Sequence, residues 1–116
     1  MTAVTIGGKE YPVRFSIGVL AAMNDTYGQN GQQKIFDAVE KGDVGPLIWL
    51  AKKMIETGVK YRALMGEADE TGVPSEEALG VLIGPAEMPE VMQAITAAMT
   101  EGNKTTVESA AKDKKK

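Results

Sequence analysis

Two short β-favouring runs at the start of the chain constrain its fold more than any other feature. Thr2 to Ile6 reads Thr-Ala-Val-Thr-Ile, and Lys9 to Phe15 puts Tyr11, Val13 and Phe15 on one face. Gly7-Gly8 between them suits a tight turn, so residues 2–15 are expected to form a β-hairpin. Pro12 has no N–H to give a ladder, which assigns its strand to an edge or a bulge. A lone hairpin is marginal in water and must lay its apolar face on something else. The remainder of the chain is helical in pattern, so helices are the expected support.

Ser16 is the expected N-cap of the first helix, with Ile17, Leu20, Ala21 and Met23 as its apolar stripe and Tyr27-Gly28 as its end. A short second helix carries Ile35, Phe36 and Val39 and stops at Gly42. Asp43 is the expected cap of the longest helix. There Leu47, Leu50, Ala51, Met54 and Ile55 keep the i, i+3, i+4, i+7, i+8 spacing of a buried face. Gly58 is expected to bend or interrupt this helix before the pattern resumes from Val59 to Met65. Residues 66–74, GEADETGVP, read as a loop. Ser75 with Glu76-Glu77 then opens a short helix that Gly84-Pro85 breaks. A last helix runs from Pro85 or Met88 to Glu101, with Met88, Val91, Met92, Ile95, Ala98 and Met99 on one side and Gly102 as its stop. Residues 103–116 have Val107 as their only large apolar side chain. So little apolar surface cannot offset the entropy of ordering, and this tail is expected to be disordered. The expected fold is α+β, mainly α. It is a single domain over residues 1–102, with hairpin 2–15 packed on four to five helices across about 16–101 and a basic tail at 103–116.

Charge and residue types exclude several functions. Residues 1–101 carry 8 Lys/Arg and 14 Asp/Glu, a net of −6, while residues 102–116 carry 5 and 2, a net of +3. An acidic body repels phosphate backbones, so nucleic acid is not an expected partner. No apolar run approaches the ~20 residues that span a bilayer, and MTAVTIGGKEY lacks the layout of a secretory signal. The chain has no His and no Cys, which removes the commonest general base, the thiol nucleophile and the usual transition-metal ligands. Glu67 to Gly72 resembles the opening of a calcium loop, but Ala78 stands where the bidentate glutamate belongs. Glu76/Glu77 and Glu87/Glu90 fall in first helical turns, where the helix dipole accounts for them. No cofactor is expected, and the chain does not read as an enzyme.

Six methionines besides Met1 fall on or beside apolar helix faces: Met23, Met54, Met65, Met88, Met92 and Met99. With only 5% aromatic residues they are natural core fillers. The sharper reading is an adaptable groove for a partner helix, for which Met54, Met65, Met88, Met92 and Met99 are the candidates, together with Trp49. Trp49 fits core-edge packing better than an interface hot spot, although tryptophan is enriched at interfaces.

Three blocks carry a resemblance. TIGGKEYPVRFSIGVLAAMNDTYG, IFDAVEKGDVGPLIWLAKKMIETGVKYRALMGE and PSEEALGVLIGPAEMPEVMQAITAAMTEG together resemble the tail assembly chaperones of long-tailed, siphovirus-type bacteriophages of Gram-positive hosts. The likeness covers about residues 4–102. It implies a non-enzymatic protein of the host cytoplasm, absent from the mature virion. Such a protein coats the phage tape measure protein and helps recruit tail-tube subunits. The alternatives are a minor tail or connector protein retained in the virion, and an acidic regulator that mimics DNA.

The end of the chain, AAKDKKK, fits a solvated terminus better than a nucleic-acid arm, for it lacks arginine and aromatics. The resemblance adds programmed frameshifting near the end of the reading frame. Under it Lys114, Lys115 and Lys116 would matter as a run of adenines in the gene.

Overall fold

The computed structural model describes residues 2–67 and 72–114, the last twelve of them as backbone alone. Strands β1 (Ala3–Ile6) and β2 (Lys9–Pro12) form the N-terminal hairpin, followed by α1 (Ile17–Tyr27), α2 (Gly31–Glu40), α3 (Gly45–Leu64), α4 (Glu76–Leu82) and α5 (Met88–Lys114). A single 3-10 turn, Pro85–Glu87, leads into α5. The fold is the expected one, a two-stranded hairpin on a helical bundle.

The hairpin follows from its turn. Gly7 and Gly8 take φ of 60° and 79°, the paired positive angles that match the twist of the flanking strands. The register pairs Val4 with Tyr11 and Ala3 with Pro12. Val4, Ile6, Tyr11, Val13 and Phe15 are all buried, so the alternation read from the sequence sets the inward face. β1 packs on α5 and β2 on α3. In a two-stranded sheet both strands are edges, so Pro12 disturbs no interior ladder.

α3 is the hub, touching β2, α1, α2, α4 and α5. Its Leu47, Leu50, Ala51, Met54 and Ile55 are each at most 1% exposed, as their spacing requires. Asp43 does not occupy the N-cap itself. That position is Val44, and Asp43 accepts from the Gly45 N–H at 3.3 Å from one residue earlier. Ser16 and Ser75 cap α1 and α4 as expected, accepting from the Val19 and Ala78 N–H groups.

Three further expectations are corrected. Gly58 does not interrupt α3, which runs unbroken from Gly45 to Leu64. It is buried against β2, where a Cβ would lie 2.5 Å from the Pro12 carbonyl oxygen. The chain after β2 lies so close to α3 that the Arg14 N–H donates to the Met54 carbonyl at 3.1 Å. Gly102 likewise does not end α5, whose helical backbone continues to Lys114. A Cβ on Gly102 would stand 2.7 Å from the Phe15 carbonyl oxygen, so this glycine too marks a close approach. The side chains of 103–114, residues 68–71 of the acidic loop, and Lys115 and Lys116 lie outside the described residues. Finally, α1 buries Val19 and Met23, whereas Ile17 is 86% exposed and Leu20 faces outward. This helix is apolar nearly all round, so periodicity alone did not define its inner face.

Candidate functional site

The extended residues after β2 form the floor of a groove between α1, α3 and α5. Arg14 projects onto α3 and stacks on Tyr61, guanidinium carbon to ring centre 3.9 Å, as a cation–π pair. This stack is a ridge with a cleft on each side. The first cleft, about 460 Å³, is bounded by α3 through Lys53, Glu56, Lys60 and Leu64 and by Gly18 and Ala22 of α1. The second, about 480 Å³, reaches Ile17, Ala98, Glu101 and Gly102. Ile17 and Leu64, both 86% exposed, stand at the two ends of this surface, and Met65 beside Leu64 is 62% exposed. Here α3 overhangs the core: its final turn no longer buries the pattern that the sequence continues to Met65.

Arg14, Lys53 and Lys60 line the two clefts against Glu56 and Glu101, so the groove is slightly cationic in an acidic body. α3 holds Lys52, Lys53, Lys60 and Arg62 against Glu56 alone. Lys53 Nζ stands 3.8 Å from Glu56 Oε1, a partly exposed contact too long for a hydrogen bond. That distance explains why Glu56 Oε1 has no hydrogen-bond donor although a cation is near.

The six residues proposed from the sequence do not converge on this groove. Met54 is fully buried and Met99 is 5% exposed, so both belong to the core and offer no surface to a partner. Met88 and Met92 are half-buried against the same core, and only Met65 is largely exposed. Trp49 is half-buried and meets Tyr27 edge to face, ring centres 5.3 Å apart at 82°, with Lys53 Nζ 5.9 Å from its ring. It is thus a core-edge residue one turn from the groove. Lys114 is the last residue of the α5 helix, its side chain undescribed. Reading the sequence missed Arg14, Lys60, Tyr61, Ile17 and Leu64. The available signal was the cationic bias of α3 in an acidic chain.

The Tyr27–Trp49 pair gives a measurable handle. Burial, then the carboxylates of Glu76 and Asp43, push the Tyr27 hydroxyl above the usual tyrosine value of about 10. The neutral form is therefore favoured in the folded state. This contribution to stability is complete below about pH 10 and is lost as pH rises through the raised folded value. Trp49 is the only tryptophan, so quenching of its emission by the nearby tyrosinate should show a midpoint above 10. The Asp43→Asn variant should move that midpoint down; an unchanged midpoint would show that Asp43 exerts no field there.

Among the described residues no cluster of three or more Asp and Glu is placed to hold a metal ion, and no helix is long and apolar enough to cross a membrane. Comparison of the chain with known protein families, curated proteins and solved structures finds no match.

Proposed function

We propose that the protein is a phage tail assembly chaperone. It binds the tape measure protein and helps recruit tail-tube subunits in the host cytoplasm, and it is not carried into the mature virion. The reading begins from the three sequence blocks, and one structural observation supports it most. The groove around Arg14 and Tyr61 leaves Ile17, Leu64 and Met65 exposed beside two clefts of peptide-binding size. A small helical body with an open apolar-and-cationic groove is suited to masking a helical client reversibly. Such a role needs no catalytic side chain.

Co-expression with the tape measure protein encoded beside it tests this. The client should move from the insoluble to the soluble fraction and co-purify with the chaperone. No gain in solubility and no co-purification would overturn the reading. Stoichiometric presence in purified particles would instead assign the protein to the tail structure itself.

A further inference from the structure

The groove has a chemistry more specific than exposure of apolar surface. Residues 1–101 carry a net charge of −6, yet the cleft beside α3 sets Arg14, Lys53 and Lys60 against a single carboxylate, Glu56. Lys53 has that carboxylate for itself. Among the described residues neither Arg14 nor Lys60 makes an ion pair. Stacking on Tyr61 holds the Arg14 guanidinium by its face, which leaves the N–H donors around its edge for a carboxylate. The cleft beside α3 is mainly apolar and ends at Leu64, whereas the cleft on the other side of the stack sets Ile17 and Ala98 beside the Glu101 carboxylate.

We infer that the groove binds an acidic amphipathic segment of a partner protein. Its carboxylates take Arg14 and Lys60, and its apolar side chains enter the cleft beside α3 against Leu64. Charge complementarity carries the choice of occupant. A peptide needs a few cations placed beside an apolar hollow, which is what the cleft beside α3 supplies. A nucleic acid needs a long cationic track, and here the surrounding body would repel it. From Lys53 to Leu64, α3 rises about 16 Å, a length matched by about three turns of a docked helix. The inference rests on the chaperone reading only for the partner's identity: the segment would be a stretch of client with glutamates or aspartates along its apolar face.

Fluorescence anisotropy tests it with three labelled probes. They are a helical peptide of about 16 residues with leucines on one face and glutamates beside them, the same peptide with lysine for glutamate, and an oligothymidylate of similar length. The glutamate peptide should bind at least about tenfold more tightly than either other probe, and added salt should weaken it. Lys60→Glu, at an exposed position, should reduce that binding about tenfold or more with an unchanged urea midpoint. Arg14→Gln should do the same. Equal binding of the lysine peptide or the oligothymidylate overturns the inference, as does full affinity in the folded Lys60→Glu variant. Co-expression with the tape measure protein separates the two readings. A Lys60→Glu variant that binds no glutamate peptide yet still solubilises the client sinks the groove alone. Peptide binding by the wild type without client rescue sinks the chaperone role alone.

Discussion

Gly58→Ala should destabilise the protein by about 2 kcal/mol, although alanine is favoured over glycine by about 1 kcal/mol in a helix interior. The new methyl carbon would stand 2.5 Å from the Pro12 carbonyl oxygen and 2.7 Å from its carbon, and neither can rotate away as a side chain would. Relief requires β2 to lift from α3, which lengthens the bond from the Arg14 N–H to the Met54 carbonyl. Gly80 is the control. It lies on exposed α4, where an added Cβ meets only the Ile48 Cδ1 at 3.9 Å. Gly80→Ala should therefore raise stability by about 0.5–1 kcal/mol. Urea unfolding of the two variants reads out the difference in sign. A gain for Gly58→Ala equal to that of Gly80→Ala would mean that β2 does not lie against α3.

The methionines divide just as sharply. Met54→Ala should cost about 2–5 kcal/mol, because the fully buried side chain leaves a cavity between α3 and its neighbours. Met65→Ala, at a position 62% exposed, should stay within about 0.5 kcal/mol of wild type. Thermal or urea unfolding suffices for both. A near-neutral Met54→Ala would show that this residue is not a core filler.

Local signals were legible in the sequence wherever one residue type has one mechanism. Gly7-Gly8 specified the turn, Ser16 and Ser75 the caps, and the spacing from Leu47 to Ile55 the buried face of α3. The errors came where a residue has two uses. Gly58 and Gly102 look like punctuation along the chain, but each is small because a backbone carbonyl from a distant segment presses on it. The face of α1 was misjudged because Ile17, Val19, Leu20 and Met23 leave no polar side to orient by, and tertiary packing chose Val19 and Met23. The groove was illegible for a related reason. Arg14 with Ile17, Tyr61, and Ala98 come from three stretches of chain, and no spacing within any of them announces that they meet.

The placement of the hairpin also sets the order in which the fold can close. β1 packs on α5, far along the chain, and the Thr2 hydroxyl donates to a Glu101 carboxylate oxygen across 99 positions of sequence. Local helices such as α1 and α2 can pair while the chain is still growing, but the apolar face of β1 has no cover until α5 has left the ribosome. Closure of so large a loop carries an entropic cost that only the completed hydrophobic contacts offset. The nascent protein would thus be itself in need of shielding until α5 arrives.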